Sequence, residues 1–187
     1  MTKREKIIEV ATQLFADVGL RVPTAKIAKE AAVATGTLFH HFSTKLDLVH
    51  ACYLDIHRDY VWSMIRFFDV PTRNLEKGIK KGIRGAINYW ARNPHHFAFV
   101  RQVRHSHYFD AELRRKLSEI QLSLHTTLNL AADKRLLRKM DRELMIDQIF
   151  ACIDAGTLKV IEARKPVEAN QLKRDTLRFI WKAIARS

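Results

Sequence analysis

Glycine, proline and cysteine are scarce in this chain of 187 residues, which contains 6 glycines, 4 prolines and 2 cysteines. Hairpins and tight turns usually need glycine or proline, so their scarcity argues against a turn-rich β-sandwich or barrel and favours a few long helices. Cys52 and Cys152 both lie in apolar helical segments, which predicts buried thiols in a reducing cytoplasm. A thiol sensor is the less favoured alternative.

Long apolar runs are also missing. The chain has no stretch of 18 apolar residues, and its first ten residues, MTKREKIIEV, lack the apolar segment of a signal peptide. We therefore expect a cytoplasmic protein that does not engage a membrane. No glycine-rich phosphate loop, nucleophile signature or carboxylate pair stands out either, so an enzyme is the least supported class and no cofactor is expected.

The nine histidines raise the question of a metal site. His95 and His96 are adjacent, His105 and His107 are two positions apart, and no cysteine is near either pair. Zinc ligands must converge, whereas side chains at these spacings point to different sides of a helix. We therefore expect structural or surface histidines and no metal.

Apolar residues recur at spacings of three and four along most of the chain, which predicts an all-α fold of about nine helices. The signals for helix starts are Thr24, Asp141, Asn93 followed by Pro94, and the pair Thr44 and Asp47. The first predicted helix ends at Gly19 and the second begins at Thr24. The next three span 36–42, 44–68 and 75–90. Two more begin at Pro94 and at Asp110, the eighth spans 144–163, and the last follows Pro166.

Residues 24–45, TAKIAKEAAVATGTLFHHFSTK, contain two short helices joined by a turn near 32–35. This is the spacing of a helix-turn-helix, in which one short helix braces another that enters a major groove about 12 Å wide. The exposed face of the second helix must then be small and polar. Thr35, Thr37 and His40 meet that requirement, while Leu38 and Phe42 point to the core.

The segment around this motif resembles the DNA-binding domain of the tetracycline-repressor (TetR) family of bacterial regulators. The resemblance covers residues 4–49 and is carried by the first helix ending at Gly19, by Ile27-Ala28, Ala31 and Val33, and by Gly36-Thr37-Leu38-Phe39, His41-Phe42, Lys45 and Leu48. It implies an N-terminal three-helix helix-turn-helix domain, 1–47, and a helical effector-binding and dimerisation domain, 48–187.

The resemblance also implies which residues contact DNA. It makes Thr24 and Lys45 phosphate contacts at helix N-termini, places His41 near a phosphate, and sets Thr35, Gly36, Thr37, Phe39 and His40 along the helix that enters the groove. Two positions depart from the family pattern. Phe39 stands where the family commonly has tyrosine, so a hydroxyl contact to phosphate is missing. Ala32 stands where the family favours glycine, which costs about 1 kcal/mol if φ is positive there.

The remaining helices are expected to bind an effector and to form a dimer. Pocket candidates combine an apolar body with a polar tip, the mixture that small-molecule sites use, and they are Tyr53, His57, Trp90, His107 and Tyr108. Aromatic residues at helical spacing are, however, more often plain core. The last two helices, 141–163 and 167–185, are the expected dimer surface, as a four-helix bundle with their symmetry mates.

Charge is unevenly distributed along the chain. Residues 1–50 hold 7 Lys and Arg against 5 Asp and Glu, whereas residues 71–116 hold 11 against 3. The basic excess of 71–116 has two interpretations: a solvated helix surface, which is favoured, or a surface that meets an anionic ligand such as an acyl-CoA or carboxylate, or a DNA backbone.

We therefore expect a transcriptional repressor that binds a palindromic double-stranded DNA operator as a homodimer and is released by a small hydrophobic or anionic effector. The alternative, from a different class, is a helical lipid-binding or adaptor protein whose N-terminal bundle does not read DNA.

Overall fold

The computed structural model describes residues 1–66 and 74–186, and these residues form nine α-helices. The predicted all-α architecture is therefore confirmed. The predicted continuation of the fourth helix to Phe68 and the break at Pro71-Thr72 lie outside the described residues. In chain order the helices are α1 Lys3–Val18, α2 Thr24–Glu30, α3 Thr35–His41, α4 Lys45–Ile65, α5 Leu75–Arg92, α6 Pro94–Arg104, α7 Ala111–Asp133, α8 Arg142–Glu162 and α9 Pro166–Ile184.

Side-chain caps fix the starts of several helices. The Asp47 N–H donates to Thr44 Oγ1 over 3.0 Å and the Thr44 N–H donates to Asp47 Oδ2 over 2.9 Å, which confirms the predicted capping box of α4. Asp141 caps α8 by accepting from the Leu144 N–H at 2.9 Å, also as predicted. The prediction for Thr24 was wrong by one residue. Pro23, with φ of −67° and extended ψ, is the N-cap of α2, and Thr24 is its first helical residue.

One compact unit comprises residues 1–58 and 93–119. Its centre is the packing of α1 against α6, where the Phe15 and Phe99 rings stack with centroids 5.7 Å apart. The Gln102 side chain donates to the Ala16 carbonyl oxygen over 3.2 Å and so ties α6 to the last turn of α1. Helices α2 and α3 pack against α1 and against each other.

The second unit comprises residues 59–92 and 120–187. Helix α8 packs against α5 and α9. A Cβ added at Gly156 would collide with the Thr176 side chain, so the lack of a side chain at this position lets α9 approach α8 closely. The α7–α8 connection pairs with the end of α9, because the Arg138 N–H donates to the Ile184 oxygen and the Arg186 N–H to the Leu136 oxygen, both over 2.9 Å.

Helix α4 contributes residues to both units, since the division falls between residues 58 and 59. The predicted boundary between 47 and 48 separates a DNA-binding from an effector-binding domain. The division into compact units does not test it, so it stays a prediction. Of the two predicted buried thiols, Cys52 is buried, and burial raises its pKa to about 12. Cys152 is only half-buried, because it lies on a side of α8 that is open to solvent in the single chain. In the part of the chain that the structure describes, no helix is long and apolar enough to cross a membrane.

Candidate nucleic-acid interface

The turn between α2 and α3 is a hydrogen-bonded helix C-cap. The Ala32 N–H donates to the Lys29 oxygen and the Val33 N–H to the Ala28 oxygen, each over 3.0 Å, which is the Schellman arrangement. This arrangement puts Ala32 in the left-handed region, with φ of 53°. The positive φ that the family pattern suggested for this position is therefore present, although the residue is alanine. The turn sets the direction in which α3 leaves α2.

Helix α3 has one buried face and one exposed face. Leu38 is fully buried and Phe42, just after the helix, is 3% exposed, so residues four apart anchor it to the core as predicted. Thr35, Gly36 and His40 are exposed. No atom lies within 4 Å of a Cβ built on Gly36 once its own helix is left out, so the start of α3 faces open space. A flat, small and polar surface of this kind suits insertion into a DNA groove.

Cation–π contacts join α1 to the residue that follows α3 and to the start of α4. The Arg4 guanidinium lies 5.4 Å from the centroid of the Phe42 ring, and the Lys45 ammonium lies 5.9 Å from that of Phe15. Lys45 is the first residue of α4, and partial burial lowers its pKa. A cation at a helix N-terminus places its charge beside free backbone N–H groups, the combination that binds phosphate.

The structure places all eight predicted DNA contacts on α2, on α3 or at the first residue of α4. Their roles toward DNA stay predictions. Thr24, Thr37, His41 and Lys45 are half-buried, and the others are exposed; Phe39, at 43% exposure, presents an apolar ring to solvent. Lys26 and Lys29 are also exposed on α2, and the motif spacing alone did not single them out.

The five predicted effector contacts are divided between the two units. Tyr53, His57, His107 and Tyr108 belong to the first unit, whereas Trp90 belongs to the second. The His57 and Tyr53 rings stack with centroids 4.1 Å apart in a fully buried pair, and burial lowers the pKa of His57 to about 3, so this imidazole is neutral at physiological pH. His107 is exposed, with its ring 4.2 Å from that of Tyr108. The effector roles of these residues stay predictions.

Within the second unit, a small apolar cavity lies among α4, α5, α7 and α8. Its volume is about 30 Å³, room for roughly one water molecule. The apolar periodicity of the sequence predicts these helices but indicates no cavity, since a cavity depends on how helices distant in sequence pack. It is lined by Met64, Ile79, Ile83, Leu124, Leu128, Ile146, Ile149 and Phe150.

Histidines in the described ranges do not gather with cysteines or carboxylates into a group of three that could hold a metal ion. His95 instead lies 3.2 Å from the Asp17 carboxylate at the surface, and His50 lies 3.0 Å from the Tyr108 carbonyl oxygen.

Comparison with known proteins gives a family for the N-terminal residues. Residues 7–52 match the family model of bacterial regulatory proteins of the tetR family. The crystal structure of a protein assigned to that family, from Shewanella sp. PV-4, superimposes with a TM-score of 0.90 at 26% sequence identity and covers 100% of both chains. Residues 7–52 therefore belong to the N-terminal domain of the TetR family, and the whole chain has the fold of a TetR-family regulator. The family resemblance and the two-part helical architecture expected from the sequence are thereby confirmed.

Two curated relatives share sequence similarity with part of this chain. The HTH-type transcriptional repressor KstR2 of Mycolicibacterium smegmatis is 33% identical over 81 residues, which cover 41% of this chain and 38% of the repressor. An HTH-type transcriptional regulator of Staphylococcus aureus strain USA300 is 42% identical over 57 residues, 30% of this chain and 29% of that protein. The chain thus aligns with less than half the length of these curated relatives. They are regulators of transcription and not enzymes, in agreement with the interpretation from the sequence.

Proposed function

We propose that this TetR-family protein is a dimeric transcriptional repressor that reads a palindromic operator with α3 and is released by a small effector. The observation that carries the proposal is the exposed start of α3, where Thr35 and Gly36 face open space while Leu38 fixes the helix from behind. Arginine and lysine are absent from α3 itself, so groove readout would depend on threonine and histidine side chains and on close approach at Gly36.

The exposed apolar residues of α8 and α9 support dimer formation through these helices. Phe179 on α9 is 64% exposed and Leu144 on α8 is 48% exposed, and Met140, just before α8, is 39% exposed. Large apolar side chains grouped on one surface are typical of a protein interface. A shallow groove of about 250 Å³, with Met140, Cys152 and Phe179 in its lining, runs along the same two helices. Two such faces related by a two-fold axis would form the predicted four-helix bundle and present two copies of α3 to two half-sites.

The apolar cavity of the second unit supports a hydrophobic effector. At about 30 Å³ it cannot hold a drug-sized molecule as it stands, so effector binding requires the surrounding helices to separate. Met64, on α4, is one of the lining residues, and α4 continues back to Lys45 beside the interface. Displacement of α4 would then change the spacing of the two α3 helices. The effector must favour the displaced state by ~1–3 kcal/mol to release DNA.

Footprinting on the DNA upstream of the protein's own gene tests the proposal. We expect one protected, two-fold symmetric site whose half-sites are separated by about one helical turn, 34 Å, or a multiple of it. Protection that is diffuse and independent of sequence would contradict the proposal and favour the helical lipid-binding or adaptor protein.

A further inference from the structure

Five cationic side chains gather where the α7–α8 connection meets the end of α9. They line a cleft of about 500 Å³, and the other lining residues are aliphatic, so the lining contains no acidic side chain among the described residues. We call this the basic cleft. It shares no residue with the helix-turn-helix or with the apolar cavity. The five cations are Arg135, Arg138, Lys139, Arg142 and Arg186.

Backbone hydrogen bonds hold the elements of the basic cleft together. The Arg186 N–H donates to the Leu136 oxygen and the Arg138 N–H to the Ile184 oxygen, so the end of α9 is fixed beside the α7–α8 connection. The Arg138 Nε also donates to the Ala185 oxygen over 3.0 Å. The five cations therefore lie on two segments, the α7–α8 connection and the end of α9, that hydrogen bonds hold together. Because these segments cannot move apart freely, the repulsion among the cations is not relieved.

Arg135 occupies a position that favours glycine. The Arg135 N–H donates to the Ala132 oxygen and the Leu136 N–H to the Ala131 oxygen, so α7 ends in a Schellman arrangement with φ of 57° at Arg135. A non-glycine residue in this region is strained, and strain of this kind is concentrated at functional sites. An arginine kept here adds a charge to the cleft at a cost in stability.

Arg142 supplies the observation that points most directly to a ligand. Its Nη1 nitrogen is buried, and no hydrogen-bond acceptor for it exists among the described residues. A buried donor of a charged group is costly unless an acceptor meets it. Asp141, which directly precedes Arg142, uses its carboxylate to cap α8 by accepting from the Leu144 N–H. An anion in the cleft would give the Arg142 guanidinium a partner of opposite charge and offset the repulsion among the five cations.

We propose that the basic cleft is a second ligand site, which binds a small molecule that carries several negatively charged phosphate groups. Guanidinium groups bind phosphate oxygens through paired, charge-assisted hydrogen bonds, and four of the five cations are arginine. The cleft volume falls within the range of roughly 300–1,000 Å³ of small-molecule sites. The basic surface of α5 is a weaker candidate, because Glu76 pairs with Lys80 and the Lys80 ammonium lies over the Trp181 ring.

Calorimetric titration of the full chain with inorganic triphosphate tests the assignment. We expect saturable binding of one triphosphate per chain at low ionic strength. The double variant Lys139→Gln/Arg142→Gln should bind at least tenfold more weakly. Its matched control, Arg164→Gln/Lys165→Gln, removes the same charge from exposed positions of the same unit outside the cleft and should change affinity less than twofold. Equal reductions in both variants would overturn the proposal, since they would show attraction to net charge only.

A second variant separates binding from folding. Arg135→Gly should raise the thermal midpoint, because glycine relieves the positive φ, and should still weaken triphosphate binding severalfold. Unchanged triphosphate affinity in a stabilised Arg135→Gly protein would overturn the assignment. Absence of triphosphate binding to the unaltered protein would overturn it as well. A third outcome would also overturn the assignment. If triphosphate does not bind, and Lys139→Gln/Arg142→Gln weakens binding to an unrelated DNA duplex, the cleft is a nucleic-acid surface.

Discussion

The two compact units of this protein divide its charge unevenly. Residues 1–58 and 93–119 hold 13 Lys and Arg against 9 Asp and Glu, whereas residues 59–92 and 120–187 hold 20 against 11. The unit that contains the helix-turn-helix is thus the less basic, with a net charge of +4 against +9. We infer that sequence recognition by α3 depends on the shape of an exposed helix, and that the surplus of positive charge serves the second unit.

The largest effect is expected from separating the two chains. Phe179→Asp places a charge on the exposed apolar surface of α8 and α9, which should give monomers at micromolar concentration and weaken operator binding by roughly 10²-fold or more, as expected when two linked contacts become one. Sedimentation and fluorescence anisotropy measure the two outcomes. Trp62→Asp is the matched control, because Trp62 is 60% exposed on α4 and should tolerate the charge. A dimeric Phe179→Asp protein would remove α8 and α9 from the interface.

The next effect isolates the shape of α3. Gly36→Ala adds one methyl group in open space, so the fold should be unharmed or gain up to ~1 kcal/mol from helix propensity. The same methyl group should obstruct approach to the groove and weaken operator binding by roughly 1–3 kcal/mol. Thermal unfolding and anisotropy on the same sample separate these effects. Unchanged operator affinity would show that Gly36 does not approach DNA closely.

A smaller and different effect is expected from Lys45. Lys45→Gln should weaken binding to every duplex about equally. It should also lower the slope of log affinity against log salt by roughly one unit for each phosphate that is no longer neutralised, hence by about two in a dimer. Lys165→Gln removes the same charge at an exposed position of the second unit and serves as the control. A slope that matches the unaltered protein would exclude Lys45 from the phosphate contacts.

The smallest effect concerns the turn. Ala32→Gly relieves a left-handed alanine, so it should raise the free energy of unfolding by about 1 kcal/mol and leave operator affinity unchanged. Chemical denaturation measures the gain. A destabilised Ala32→Gly protein would show that the alanine side chain makes a packing contribution larger than the strain.

The sequence predicted the helix-turn-helix well because its signals are local. The capping residues Thr44 and Asp47, the buried pair Leu38 and Phe42, and the turn at Ala32 lie within about 20 positions of one another. Residue spacing is sufficient to place such features. The family motif then gave each exposed position on α3 an expected role.

The second unit was predicted less completely because its features depend on contacts between distant segments. Apolar periodicity predicted helices over 75–90 and 144–163 but could not show that Ile79 and Ile146 line one cavity. Arg138 and Arg186 are 48 positions apart, and only the pairing of the α7–α8 connection with the end of α9 brings them to one cleft. Counting charges along the sequence identified the basic excess of 71–116. It could not indicate a cluster of cations that comes from two segments distant in sequence.

The most direct test of α3 as a sequence reader is the ratio of two affinities at 0.15 M salt, a concentration at which non-specific attraction is screened to a Debye length of about 8 Å. One duplex carries the footprinted upstream site and the other has the same base composition in shuffled order. We predict that the protein prefers the site by roughly 10³-fold or more, and that Thr37→Val or His40→Ala reduces this ratio without abolishing binding to the shuffled duplex. A ratio near one would contradict sequence recognition by α3.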